Sequence, residues 1–181
     1  MSVGAIKGPE SGVEGAIRRA AGATGVDFDF LLRTARRESA LNPTARARTS
    51  SAAGLFQFVE QTWLGTLKRH GAKHGYGAYA DLIRQGADGR FRVDGESRRA
   101  VLNLRFDPQA ASVMAAELAS DHAAYLKGRT GRDPSAGELY AAHFLGPEGA
   151  ARLLQARETR PGASAASLFP EAAGANRPIF Y

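Results

Sequence analysis

Cysteine is absent from this chain, which excludes disulfides, thiolate nucleophiles and thiolate metal ligands while leaving the redox compartment open. Histidine is sparse, with only His70, His74, His122 and His143. The i,i+4 pair of His70 and His74 lacks the intervening glutamate of an HExxH helix and has no obvious third ligand, so no metal site is expected there. Residues 86–95, GADGRFRVDG, hold too few acidic side chains at the wrong spacing for a calcium loop. No apolar run approaches the length of a membrane span, and residues 1–10 contain no apolar core of signal-peptide length. No integral membrane segment is therefore expected. Internal repeats are missing too.

What is present is enough for one substantial core. With 181 residues and 44% hydrophobic composition, the chain is too short for two ordinary domains. The expected layout is a flexible segment over residues 1–12, interrupted by Gly4, Gly8, Pro9 and Gly12, then one mainly α domain over 13–158, then an irregular tail over 159–181. The formal charge is +6 and the pI about 10.1, and 20 of the 24 basic residues are arginine. Such a balance favours a polyanion, whether nucleic acid, anionic lipid or a carboxylate-bearing bacterial wall. The arginines are dispersed, and there is no zinc finger, RNP aromatic pair or concentrated basic helix, so no nucleic-acid partner is expected.

The most informative stretch runs from Arg36 to Phe58, RRESALNPTARARTSSAAGLFQF. Asp27 is placed to cap a helix over residues 28–41, on which Phe28, Leu31, Ala35 and Glu38 share one stripe. A carboxylate on an otherwise apolar stripe loses hydration, which favours its protonated form and is expected to raise its pKa. A protonated glutamic acid can protonate a leaving oxygen. Asn42-Pro43 is expected to close the helix, and a small, polar loop follows that includes Ser50 and Ser51. Gly54 then permits a close backbone approach that a side chain would block. Alternation around Gln57 predicts that one of the rings of Phe56 and Phe58 points inward while the amide is exposed. That amide has donors and an acceptor suited to an acetamido group or to positioning the acid.

The remaining elements follow from caps and periodicity. A helix over 13–22 is expected to bury Val13, Ile17 and Ala20 or Ala21, and one over 59–70 carries Val59, Trp63, Leu64 and Leu67, with Trp63 as a core anchor. Residues 79–85 are expected to be helical and 91–93 to form a brief extended flap, so the fold class is mainly α with at most a small β-hairpin or flap. After a short helix over 98–104, Asp107-Pro108 starts a helix reaching about Tyr125. Glu117 lies near its apolar face, with solvent or an arginine as its expected destination. Ser135-x-x-Glu138 is a capping-box pattern opening a helix that carries Tyr140, His143 and Phe144 and stops at Gly146-Pro147. A last helix covers 148–156.

In this order the motifs resemble the soluble lytic transglycosylase-like catalytic domain, a lysozyme-like helical fold related to goose-type lysozyme. Glu38-Ser39 resembles that family's acid followed by serine, and Gly54-Leu55-Phe56-Gln57 its GLMQ-like segment with phenylalanine for methionine. Phe106-Asp107-Pro108 resembles its later helix start. Ala142-His143-Phe144-Leu145-Gly146 departs from the usual Ala-Tyr-Asn-Ala-Gly, with His143 at the tyrosine and Phe144 at the asparagine position; Tyr140, one turn earlier, is a candidate for the displaced hydroxyl. The resemblance implies cleavage of the MurNAc-GlcNAc bond of peptidoglycan with 1,6-anhydro-MurNAc formation. The alternatives are a lysozyme-like hydrolase and a weakly active wall-binding or assembly protein. It implies Glu38 as catalytic acid and base, with Ser39, Ser50, Ser51, Gly54, Gln57, Phe58, Tyr140, His143 and Phe144 supporting it or binding substrate. It implies no metal or organic cofactor. Glycan strands are the expected partner, with an envelope machine as a second one, in the periplasm or cell envelope.

Overall fold

Asp27, Ser135 and Ser164 cap three of the helices in a computed structural model of the chain, which describes residues 12–175 and 177–181. The expected flexible N-terminal segment lies outside the described residues except for Gly12. Helix α1 (Val13–Thr24) ends at Gly25, whose left-handed φ of 77° lets the chain turn sharply. Helix α2 (Phe28–Ser39) begins with the Asp27 carboxylate accepting from the Phe30 amide at 2.7 Å. There follow α3 (Glu60–His70), a 3₁₀ turn (Gly71–His74), α4 (Gly77–Asp81), strands β1 (Ile83–Gln85) and β2 (Phe91–Val93), and α5 (Gly95–Asn103). A second 3₁₀ turn (Leu104–Phe106) leads to α6 (Pro108–Thr130), and then to α7 (Ala136–Thr159), α8 (Ala165–Leu168), α9 (Pro170–Ala175) and α10 (Arg177–Phe180). The protein is mainly α, with a single two-stranded sheet among the described residues.

The chain divides into two compact units at Leu118/Ala119. In the first, Ile17, Leu31, Leu55, Phe56, Trp63, Leu64, Leu67 and Met114 are all at most 1% exposed and build the core. Each such side chain contributes roughly 1.5–3 kcal/mol by leaving water. Trp63 is the anchor its spacing predicted, and its indole N–H donates to the Val101 carbonyl at 2.9 Å, joining α3 to α5. The antiparallel sheet pairs Ile83 with Val93 and Gln85 with Phe91. Residues 83–85 are therefore a strand, and the helix expected over 79–85 stops at Asp81. The cause lies at a distance: Gln61 on α3 accepts from the Phe91 amide and donates to its carbonyl, both at 2.9 Å, which pins β2 and gives β1 a partner.

In the second unit, α7 opens with the capping box foreseen from Ser135 and Glu138. Gly146 (φ 75°, ψ 161°) followed by Pro147 breaks it into two helical runs, as the sequence predicts. Leu126, Ala142, Ala150 and Leu154 form a core cluster, with Tyr125 packed against it. The tail departs from expectation, since α8, α9 and α10 occupy much of residues 165–180. Ser164 caps α8 by accepting from the Ser167 amide at 3.2 Å, and Leu168 and Ala173 are buried.

Candidate functional site

Helix α2 delivers Glu38 by amphipathic spacing. Leu31, Thr34 and Ala35 are buried on one face, and Glu38, the next residue along that face, is half-buried near the helix end. Termination comes earlier than Asn42-Pro43. Ala40 (φ 52°) and Leu41 (φ 63°) are both left-handed, and the Ala40 amide bonds to the Arg36 carbonyl at 2.9 Å. Asn42 instead shapes the start of the loop, its side chain accepting from both the amide and the hydroxyl of Thr44 at 2.9 and 2.8 Å.

Past the helix, the chain makes a small knot of extended pieces. Ala53 bridges Arg46 on one side and Phe58 on the other, and Gly54 donates to the Ala45 carbonyl at 2.8 Å. Gly54 has φ 80° and lies flat against the Arg105 backbone, so that a Cβ there would overlap the Arg105 carbonyl oxygen. The knot is tied to α2 by Ser39, whose hydroxyl donates to the Leu55 carbonyl at 2.8 Å and also lies 3.1 Å from the Ala35 carbonyl. The residue beside Glu38 thus holds the Gly54–Gln57 turn against the helix end.

Gln57 is itself left-handed, with φ 48°. This breaks the strict alternation expected around it: Phe56 and Phe58 are both buried, at 0% and 3% exposure, rather than one in and one out. Phe58 stacks edge-on against Trp63 with ring centroids 5.2 Å apart, which makes it a core residue. The Gln57 amide nitrogen donates to the Gly54 and Ala45 carbonyls at 2.9 and 3.3 Å. Its donors are therefore directed inward, leaving Oε1 as the acceptor. Ser50 accepts from the Ala52 amide at 3.2 Å and Ser51 from the Glu60 amide at 3.1 Å, so the loop serines brace the loop and the start of α3.

Tyr140, His143 and Phe144 lie on α7, in the second unit. The Tyr140 and His143 rings are 6.0 Å apart and tilted, and Phe144 faces Phe180 at 6.3 Å. A cavity of about 390 Å³ in that unit, lined by Glu138, Ala141, Leu154 and Arg157 among others, includes none of these three.

Sequence reasoning missed two features near the loop and one on α6. The Arg105 guanidinium, 7% exposed, donates to the carbonyls of Ser51 (2.7 Å), Phe58 (3.0 Å) and Leu102 (3.0 Å). Arg46 lies over the Phe106 ring at 4.2 Å. Glu117, 4% exposed, goes neither to solvent nor to an arginine: Lys73 Nζ (2.7 Å) and His74 Nε2 (2.6 Å) meet its Oε1, and His70 Nδ1 lies 3.4 Å from Oε2. Burial alone would raise the Glu117 carboxyl, but hydrogen bonds from Lys73 and His74, with His70 nearby, bring it below its ordinary value. Both histidines thus converge on one carboxylate, with the Lys73 ammonium filling the place of a cation. Among the described residues no group of histidine and acidic side chains is arranged to hold a metal ion.

Two further carboxylates pair with arginines. Glu60 pairs with Arg98 at 2.6 Å, and Asp88 with Arg92, whose hydrogen bond is the largest cause of a carboxyl held well below its usual range. Among the described residues no helix is long and apolar enough to cross a membrane. Residues 15–81 match the family model described as the transglycosylase SLT domain. Glu38, Ser39, Ser50, Ser51, Gly54, Gln57 and Phe58 fall within the matched segment, whereas Tyr140, His143 and Phe144 fall beyond it.

Proposed function

From the match of residues 15–81 to the transglycosylase SLT domain model, we propose that the protein is a lytic transglycosylase of bacterial peptidoglycan, with Glu38 as its one acid and base. The observation that carries this reading is the junction at the end of α2. Glu38 is half-buried there, and its neighbour Ser39 fastens the glycine-glutamine turn at 2.8 Å.

In the proposed reaction Glu38 gives its proton to the oxygen between muramic acid and the following glucosamine as the C1–O bond breaks. The muramyl 2-acetamido oxygen shields the positive charge developing at C1. Glu38, now a carboxylate, takes the proton from the muramyl 6-hydroxyl while O6 bonds to C1, so the ring closes and no water is consumed. Two-carboxylate hydrolysis needs a second acidic group across the bond. Of the four carboxylates that could serve as that second group, Glu60, Asp88 and Glu117 are engaged with cations, which supports the single-carboxylate route, and exposed Asp81 is left as the alternative. Gln57 Oε1 serves as an acceptor, for the Glu38 hydroxyl or an acetamido N–H. The protein would act in the bacterial envelope.

Digestion of purified peptidoglycan by the wild type and by Glu38→Gln tests this, with muropeptides identified by mass before and after borohydride. Products lighter than hydrolytic ones by one water, inert to borohydride and absent with Glu38→Gln, are expected. Reducible ends would instead establish hydrolysis. Turnover by Glu38→Gln near the wild-type rate would remove Glu38 from the mechanism, since loss of a general acid costs on the order of 10²–10⁴-fold. Binding without product by the folded wild type would favour a wall-binding role.

A further inference from the structure

We propose that Arg105 is a positioning residue for the loop fastened to Ser39, beside Glu38: it holds residues 45–58 in the shape that turnover requires, without touching substrate. The proposal rests on the glycan reading for what the loop does, and on geometry alone for how it is held.

Four contacts converge on the loop from Arg105 and its neighbour. The guanidinium reaches two loop carbonyls, Ser51 at 2.7 Å and Phe58 at 3.0 Å, and these lie at opposite ends of the Ser51–Phe58 excursion. The same Phe58 oxygen accepts from the Ala53 amide at 3.2 Å, so the cation closes the bridge that sets the Gly54–Gln57 turn. The Arg105 carbonyl is what Gly54 packs flat against. Phe106 lies under Arg46 at 4.2 Å and secures the near end of the loop.

A buried guanidinium is costly to desolvate, and burial is the largest influence on it, pushing its pKa down from the ordinary arginine value. Its three hydrogen bonds all go to main-chain carbonyls rather than to a carboxylate. A planar fork with several fixed donors can span three carbonyls at once, which a methylene chain cannot do and an ammonium does only in part. From the loop the hold passes through the Leu55 carbonyl to Ser39 and so to the residue beside Glu38.

The test compares wild type, Arg105→Met and Arg105→Lys by amide hydrogen exchange and by turnover at saturating glycan, each normalised to folded protein by circular dichroism. In Arg105→Met the Ala53 and Phe58 amides should lose protection while Leu67 in α3 keeps it, and kcat should fall about tenfold or more. Arg105→Lys should recover part of both, and it carries the comparison if Arg105→Met does not fold. Glycan affinity, measured with Glu38→Gln present, should change less than kcat. Unchanged protection at Ala53 and Phe58, or wild-type kcat per folded molecule, would overturn the proposal. A wild type that releases no product, with the loop nonetheless loosened in Arg105→Met, would sink the glycan reading and leave the hold of Arg105 on the loop established.

Discussion

Arg105 and Glu138 are both charged and both 7% exposed, yet their hydrogen bonds are met in opposite ways. Glu138 accepts from Arg132 at 2.7 and 2.9 Å, from the Ser135 amide at 2.8 Å and from Arg157 at 3.3 Å. Its partners lie 3, 6 and 19 residues away, so it stiffens the start of its own helix. Arg105 bonds to carbonyls 54 and 47 residues away and shapes a loop that it does not belong to. A buried charge with local partners supplies local stability, whereas one with distant partners decides the shape of another segment.

The most severe way to break this contrast is to wedge the loop off its support. Gly54→Ala places a Cβ against the Arg105 carbonyl at a left-handed φ of 80°, and should cost about 4 kcal/mol or more, read as a loss of folded protein in urea titration. A near-neutral result would mean that the loop does not rest on Arg105. Glu117 offers a second long-range case, since its bonds to Lys73 and His74 span 44 and 43 residues. Glu117→Gln should cost about 2 kcal/mol, less than a fully buried pair because the Lys73 side chain is 60% exposed, and it should loosen residues 70–74 in hydrogen exchange.

Glu138→Gln should cost less, about 1 kcal/mol, with lost protection confined to the first turns of α7 and none at Ala53 or Phe58. Loosening at the distant loop would erase the distinction between the two charges. The smallest effect is one of pH. The Arg132 side chain, then the Ser135 amide, hold the Glu138 carboxyl at about 2 against an ordinary 4.5, with burial opposing them. Because the folded value is the lower one, this stabilisation is fully present above pH 4.5 and disappears as pH falls through about 2. The stability difference between wild type and Glu138→Gln should therefore narrow over that interval. A difference independent of pH would mean that the carboxylate charge is not what matters.

The same contrast explains what could be read from the sequence. Asp27, Asp107 and Ser135 were legible because each accepts from an amide three residues on, a spacing visible in the chain itself. The Glu38 stripe and the Trp63 anchor were legible from helical period, and Gly54 from the need for a close approach. Arg105 was not, because nothing within a turn of it points to Ser51 or Phe58. The second buried ring beside Gln57 escaped because it depends on a left-handed backbone at a residue that seldom adopts one. Strand β1 escaped because its partner strand is pinned by Gln61, 30 residues before Phe91.

Gln57 has a consequence for how this chain tolerates variation. A non-glycine residue at φ 48° sits where asparagine or glycine would be less strained, by roughly 1 kcal/mol. A saturation library at this position, sorted once for folded yield and once for wall lysis, should rank its members differently. Glycine relieves the strain but forfeits the side-chain bonds to the Gly54 and Ala45 carbonyls, so it should gain little in the first sort, and glutamine should lead the second. The strained backbone and the side chain that offsets it would then be inherited together at this single codon, and natural drift there would be slow.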